Sequence, residues 1–314
     1  MRVGLDVGGS KIDAVVVDPK GEIAARVRLA TGWGAEGVID TVIAAVHAAA
    51  ADAGAGLASI RSVGIGIPGQ VDPGTGRVLH AVNLGVDELN LGAAVAAELG
   101  VTVRVEYDVK AAALGAHALH RAGGDRIDSM AYLNLGTGIA AGIVIGGRLW
   151  RGVHGAAGEV GHITVDPQGP ECRCGQRGCI EALAGGGAIA QRWSRGGDLP
   201  VLDVFDAADA GDPRARELRA DLACGVAAAV RVLVLTADVE VVVLGGGVTA
   251  LGERLMEDVA AELAASAQAS PFMRSLRLDE RVELLPAGSP AAALGAALIG
   301  AARDREPEEA LIHG

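Results

Sequence analysis

Residues 2–18, RVGLDVGGSKIDAVVVD, hold two β-branched apolar runs, 2–7 and 12–18, on either side of Gly8-Gly9-Ser10-Lys11. Runs of this length around a glycine turn read as a β-hairpin. Asp18-Pro19-Lys20-Gly21 then turns the chain into a third run near Glu22 to Leu29. Val38, Ile39, Val42, Ile43 and Val46 follow at helical spacing, and Ser62 to Ile67 returns to strand. A helix that carries the chain back to the sheet is the crossover of an α/β domain. Further on, the spacing predicts a helix over Leu91 to Leu99, a strand over Val101 to Glu106 and a helix from Asp108 or just after it.

The opening pattern then recurs. Residues 131–151, AYLNLGTGIAAGIVIGGRLWR, read as strand Ala131 to Leu135, turn Gly136-Thr137-Gly138, strand Ile139 to Ile145, turn Gly146-Gly147 and a last strand from Arg148 to Arg151. The matched order implies two similar α/β domains whose glycine bends face one central cleft. We expect residues 1–117, with a C-terminal helix at about 290–306, as the first domain and 118–289 as the second. Leu218, Leu222, Val226, Val230 and Leu233 mark a helix in the second, before strand Val239 to Leu244, helix Leu251 to Ser266, strand Arg281 to Leu285 and a last helix from Pro290. The charged tail beyond Arg303 is expected to fray.

Composition narrows the partners. Among 314 residues, 27 Lys and Arg face 39 Asp and Glu, a net charge of −12 that argues against a phosphate-backbone partner such as nucleic acid. The 47 glycines are about twice average usage without a strict period, which sets aside collagen and linker sequences. Arg2, Asp6, Lys11 and Asp13 break any secretory signal, and Arg231, Asp238 and Glu240 interrupt the apolar stretch Leu222 to Leu244. A cytoplasmic protein without a membrane segment is the expectation, and the crowded cysteines suit a metal site in a reducing compartment.

Those cysteines carry the most specific signal. His162, Cys172, Cys174 and Cys179 form the run His-x9-Cys-x-Cys-x4-Cys, one imidazole and three thiolates, as tetrahedral zinc requires. Four protein ligands leave no position for a catalytic water, so the zinc would be structural. Gly175 and Gly178 would let the loop close tightly, and Arg173, Gln176 and Arg177 leave it no apolar face for a core. Glu159 and Glu181 flank this knot; each can be a site acid brought inward by loop closure or equally a solvated or helix-start glutamate.

Three glycine bends follow strands. Asp6 precedes Gly8-Gly9-Ser10-Lys11, a set that offers amides, a hydroxyl and an ammonium to a polyphosphate and a carboxylate to Mg2+. Gly136-Thr137-Gly138 repeats the offer, and Gly245-Gly246-Gly247 could receive a nucleoside, although tight hairpins use glycine regardless. Gly64-Ile65-Gly66-Ile67-Pro68-Gly69 matches a dinucleotide fingerprint in form only, because Pro68 and the turn-rich residues after it forbid the required helix. Trp33, Trp150, Trp193 and the histidines other than His162 are read as packing or surface groups.

Taken together, Asp6 to Lys11, Gly64 to Gly69, Leu135 to Gly138, Gly155-Ala-Ala-Gly-Glu159-Val-Gly-His162 and Cys172-Arg-Cys174-Gly-Gln-Arg-Gly-Cys179-Ile-Glu181 resemble the ROK family of bacterial sugar kinases. The resemblance implies two actin-like, RNase H-like α/β domains around a cleft with a structural zinc loop, 162–181, in the second. It implies ATP, Mg2+ and structural Zn2+ as cofactors, a sugar as substrate, and a homo-oligomer, dimer or tetramer. The start of the chain at the first phosphate strand resembles a kinase member rather than a repressor.

Carried over by position, the resemblance assigns roles. Asp108, on sequence alone a helix N-cap, aligns with the catalytic base that takes the proton of the attacking sugar hydroxyl. Glu159, His162 and Glu181 align with ligands of sugar hydroxyls, His162 serving zinc through its other nitrogen, and Gly69 with the loop over the sugar; Asn83 is a weaker candidate. Asp6, Gly8 to Lys11, Gly136 to Gly138 and Gly245 to Gly247 align with nucleotide-binding loops. The departures are Tyr107 where the family has Asn, Val109-Lys110 where it has a small residue and Asn, and Ala140-Ala141 where it has glycines. Tyr107 points to altered recognition of C3 or C4 hydroxyls, so glucose phosphorylated at its 6-OH stands beside kanosamine, N-acetylmannosamine or allose. A non-catalytic sugar-sensing pseudokinase, and polyphosphate in place of ATP, are further alternatives.

Overall fold

Arg2–Val7 (β1) and Lys11–Val17 (β2) pair antiparallel, with Val3 opposite Val16 and Leu5 opposite Ala14. Val3, Leu5, Val7, Ile12, Ala14 and Val16 are buried, and so are Val15 and Val17 on the other face of β2, so this strand is covered on both sides. The computed structural model describes residues 1–124, 126–195, 197, 199–268 and 270–301. These fall into two units, Met1–Ala111 with the segment from Ala292, and Ala112–Ala291.

The first unit continues with Ile23–Ala30 (β3), helix Gly34–Asp52 (α1) and Ser62–Ile67 (β4). Gln70–Asp72 (β5), Arg77–Ala81 (β6) and Val86–Leu89 (β7) form a small antiparallel sheet before helix Leu91–Leu99 (α2) and Thr102–Tyr107 (β8). The main sheet has the order β3-β2-β1-β4-β8, antiparallel through its first three strands and parallel through its last three. α1 buries Val38, Val42, Ala45, Val46 and Ala49 along one stripe against this sheet. The expected elements are present to within two residues; the small sheet was hidden in a stretch whose prolines and glycines read as turns alone.

The second unit repeats the scheme. Ser129–Leu135 (β9), Ile139–Ile145 (β10), Arg148–Trp150 (β11), Val241–Gly245 (β12) and Val282–Leu284 (β13) lie in the order β11-β10-β9-β12-β13, with the same change from antiparallel to parallel pairing. The duplication seen in the sequence is therefore a duplication of topology. Helix Asp108–Ala122 (α3) begins in the first unit, and the division falls at Ala111 and Ala112 within it. Then come Ile180–Ala184 (α4), Gly186–Trp193 (α5), Pro200–Asp209 (α6), Pro213–Ala237 (α7), Glu253–Gln268 (α8) and Pro271–Leu276 (α9).

α7 is capped by Asp212, whose side chain accepts from the Ala215 amide at 3.0 Å, and buries Leu218, Leu222, Val226, Val230 and Leu233. These pack with Leu133, Leu135, Val242 and Leu244 in one core. α1 and α7 are long and apolar enough to cross a membrane, but their most apolar stripes are the ones that face these cores.

Helix Ala291–Ala301 (α10) belongs with the first sheet. A Cβ on Gly4 would fall 2.0 Å from the carbonyl oxygen of Ala293, and one on Gly64 would fall 1.7 Å from that of Ala296. The alanine-rich helix thus rests on bare backbone, and Gly66 likewise makes room for Ala111 and Asp108. Gly64 and Gly66 of the false dinucleotide pattern thus serve helix packing. The tail beyond Arg303 and the expected helix end at 306 lie outside the described residues.

Candidate active site

In the first unit the parallel strands β1, β4 and β8 end on one side of the sheet, where α/β sheets bind ligands. β1 delivers Asp6 there. Its carboxyl is pushed up to about 7, by burial first and then by the neighbouring Asp108 and Asp13, with Lys11 opposing. Asp13, across the hairpin from Asp6, is ion-paired to Arg26 and to Arg28, the latter at 2.9 Å, which hold it below the usual carboxylate range despite its burial. Asp6 has no such guanidinium. A buried carboxyl raised by a second acid fits a Mg2+ site, because a cation there would relieve both burial and repulsion.

The turn after β1 is held from two sides. The Gly8 amide donates to the Lys11 carbonyl at 2.9 Å, and the Thr31 hydroxyl donates to the Gly8 carbonyl at 2.7 Å. A Cβ on Gly9 would lie 3.2 Å from the Asn83 carbonyl, so Asn83 backs this turn. Ser10 and Lys11 are exposed. Gly69 has φ +100°, and a side chain there would stand 2.7 Å from the Leu79 carbonyl, so β6 fixes that loop.

Tyr107 closes β8 and Asp108 opens α3, its Oδ1 accepting from the Val109 amide at 2.7 Å. Both are partly accessible, whereas the flanking Glu106 and Lys110 are 2% and 5% exposed. The Tyr107 amide donates to Glu106 at 3.1 Å and the Lys110 ammonium lies 6.0 Å from the Tyr107 ring centroid. The junction is therefore built around buried charge, which the sequence showed only as departures from a pattern.

In the second unit the segment Gly158 to His162 lies directly on β10. The Ala141 amide donates to the Gly158 carbonyl at 2.7 Å, and a Cβ on Gly158 or Gly161 would fall 1.8 Å or 2.0 Å from the carbonyl oxygens of Ala141 and Ile139. Glu159 and His162 are carried out from this seam. Glu181 reaches the same strand from α4, its Oε2 accepting from the Ile139 amide at 2.9 Å. Thr164 bridges to Cys179, and the Ile180 amide donates to Ile163 at 3.0 Å, so loop closure brings the three residues to one strand.

The loop is closed by its sulfurs. Cys172 Sγ lies 3.9 Å from His162 Nδ1, and Cys174 Sγ lies 3.7 Å from Cys179 Sγ. A tetrahedral zinc with Zn–S of about 2.3 Å and Zn–N of about 2.0 Å sets edges of about 3.8 Å between sulfurs and about 3.6 Å between sulfur and nitrogen. The ligand atoms of His162, Cys172 and Cys174 all lie within 4.8 Å of one another. The donor chemistry fits zinc, and the spacing fits it for His162, Cys172 and Cys174, with Cys179 beside Cys174 and outside that mutually close group. Gln176 donates to Cys174 through its side chain at 3.4 Å and, with its backbone, draws that thiol down to about 6. Gly178 has φ +61° with the Asp166 carbonyl 1.5 Å from where its Cβ would stand, so no other residue turns the loop there.

The glycine bends of the second unit also meet. The Gly186 and Gly187 amides donate to the carbonyls of Gly136 and Thr137 at 2.9 Å each. Gly246, with φ +91°, presses on Leu135 and Asn134. Gly247 is open, while Gly245 leaves room for the Tyr132 ring. Sequence reasoning found Gly136 to Gly138 and Gly245 to Gly247 but not Gly185 to Gly187, although three consecutive glycines before a helix were a visible signal. Of the aromatic and histidine groups, Trp33 lies on Gly85, Trp193 stacks with Arg195, His117 bonds the Ile127 carbonyl and His120 pairs with Glu283, in keeping with packing and surface roles for these four.

The model of the ROK family matches residues 2–303. The chain belongs to the ROK family. This ROK protein is 33% identical over 276 residues to a glucokinase of Halalkalibacterium halodurans, a match that spans 82% of this chain and 83% of the relative. It is 32% identical to an N-acetylmannosamine kinase of Yersinia pseudotuberculosis over 78% of this chain and 82% of that one. The ROK glucokinase of Streptomyces griseus, solved with glucose and AMPPNP, superposes with a TM-score of 0.73 at 33% identity over 96% of this chain and 99% of that one. The two-domain α/β fold with mixed sheets is shared with such ROK sugar kinases.

Proposed function

We propose that this ROK sugar kinase transfers the γ-phosphoryl group of ATP to a hexose hydroxyl, the 6-OH of glucose or a close analogue, with Asp108 as general base. The observation that carries this is the placement of Asp108 at the carboxyl end of β8, close enough to Asp6 and the Gly8–Lys11 turn to raise the Asp6 carboxyl. Asp108 accepts the proton of the sugar hydroxyl as that oxygen attacks the γ-phosphorus, and the bond to the β,γ-bridging oxygen of ATP breaks. Asp6 would hold Mg2+, which when bound would supply charge neutralisation on the transferring phosphates. The amides of Gly8 and Gly9, with Ser10 and Lys11, meet donor oxygens, as do Gly136, Thr137 and Gly138, while Gly245 to Gly247 receive the nucleoside.

Glu159, His162 Nε2 and Glu181 hold sugar hydroxyls, with Gly69 in the covering loop. His162 Nδ1, Cys172, Cys174 and Cys179 hold the structural zinc, which fixes the imidazole that meets the sugar. A second reading is favoured by Tyr107 with the Lys110 ammonium beside its ring: a phenol in place of a planar amide suits a hexose altered at C3 or C4, such as kanosamine or allose.

Coupled ADP release with Mg-ATP tests both readings across glucose, mannose, allose, kanosamine, glucosamine and the N-acetylhexosamines, with Asp108→Asn as control. Turnover abolished in the control is the expected result, and the best hexose decides between the two. Sugar binding without turnover across the panel would sink the kinase reading in favour of a sugar sensor.

A further inference from the structure

The next-to-last residue of β9 is one that none of the roles above employs. Asn134 stands on the face of β9 opposite Leu133 and Leu135, which belong to the core beneath α7. Its side chain lies between two bends. Nδ2 is 3.0 Å from the point a Cβ on Gly136 would occupy, and Oδ1 is 2.7 Å from the same point on Gly246. β9 and β12 run parallel with Gly245 opposite Asn134, so both bends leave carboxyl ends of neighbouring strands. Glycine at 136 and at 246 is what lets a carboxamide fit between them.

Among the described residues no group hydrogen-bonds to this carboxamide, which is partly accessible. An amide offers two donors and an acceptor, and here, partly accessible between two bends, they can meet a group that enters from solvent. The group is therefore arranged for something outside the chain. Its donor end faces the Gly136–Gly138 hairpin, where backbone without side chains admits the close approach of an anion. A neutral donor suits that place: it bonds phosphate oxygens without adding a cation beside the Glu181 carboxylate, which lies at the Gly138 end of the same hairpin.

We propose that Asn134 binds the phosphate chain of the donor nucleotide by donating from Nδ2 to a non-bridging phosphate oxygen. This rests on the reading that the nucleotide enters at these bends. Wild-type ATP-dependent turnover tests that reading by itself, so the two fail separately.

The experiment compares wild type, Asn134→Ala and Asn134→Asp in initial-rate kinetics with Mg-ATP and the best hexose, with ADP and adenosine as competitors. Asn134→Ala should raise KM for Mg-ATP and Ki for ADP about tenfold, as loss of a hydrogen bond to a charged group does. KM for the sugar and Ki for adenosine, which has no phosphate, should stay within about twofold. Asn134→Asp keeps the shape and the acceptor but not the donor, so it should bind Mg-ATP no better than the alanine variant, and it carries the test should the alanine variant not fold. Unchanged KM and Ki for ADP in Asn134→Ala, a parallel loss of adenosine binding, or wild-type Mg-ATP affinity in Asn134→Asp would each overturn the proposal.

Discussion

Glu181 Oε2 accepts a hydrogen bond from the backbone amide of Ile139 at 2.9 Å, which ties the helix behind the cysteine loop to the hairpin Gly136–Gly138. One carboxylate oxygen is spent on architecture, and on the proposed function the other would meet a sugar hydroxyl. Glu181→Gln keeps an acceptor for Ile139 but loses the charge, so KM for the sugar should rise about tenfold while KM for ATP holds. Glu181→Ala frees the hairpin too, and KM for ATP should then rise as well. Equal ATP affinity in both variants would show that the tie does not order the phosphate hairpin.

The same seam predicts the cost of a methyl group. A Cβ at residue 161 would fall 2.0 Å from the Ile139 carbonyl oxygen, and backbone cannot give way by that much without leaving β10. Gly161→Ala should destabilise the protein by about 2–3 kcal/mol and weaken sugar binding more than ATP binding, because Glu159 and His162 flank it. Thermal melts with and without sugar measure both effects.

Much of this was legible in the residues. The hairpin, crossover helix and recurrence at 131–151 gave both sheets, because runs such as Val3 to Val7 and Ile139 to Ile145 are short, apolar and bounded by glycine turns. The gathering of His162, Cys172 and Cys174 was legible because cysteine spacing is a local property. The pairing of Glu181 with Ile139, the amide slot of Asn134 and the backing of Gly9 by Asn83 join residues far apart in the chain. A sequence shows that a glycine is present but not whose carbonyl stands where its Cβ would be, and β5 to β7 escaped notice because strands of three to five residues hardly alternate.

Asp6 makes stability depend on pH with a definite sign. Burial, and after it the neighbouring Asp108, push its carboxyl up from the ordinary 3.8 to about 7, so between these values the folded protein holds a proton that the unfolded chain has released. Stability from this group is full at low pH and declines as pH rises through that window, by at most about 4 kcal/mol. Asp13, Asp72 and Asp212, held low by their hydrogen bonds, add stability in the opposite direction and mostly below pH 4. Asp6→Asn should therefore flatten the decline between pH 4 and 7 in denaturant titrations of the metal-free protein. Mg-ATP, which needs the ionised form, should bind wild type more tightly as pH rises through about 7, and a pH-independent affinity would detach Asp6 from the metal.

Removal of zinc should act on the fold first and on catalysis through it. On the proposed assignment, zinc would join the three cysteine sulfurs and His162 Nδ1 across a loop in which, among the described residues, Cys172, Cys179 and Ala182 form a small buried cluster of their own. With so little core, metal binding supplies most of the energy that holds Thr164 against Cys179 and, beyond it, Glu159 and Glu181 on β10. One zinc per chain should survive dialysis, and a strong chelator should lower Tm by about 5 °C or more and raise KM for the sugar. Cys172→Ser should reproduce this, whereas Cys224→Ser, on the exposed side of α7, should leave the metal content at one. Zinc that exchanges freely, with activity lost and Tm unmoved, would mean that the ion does chemistry rather than hold the loop.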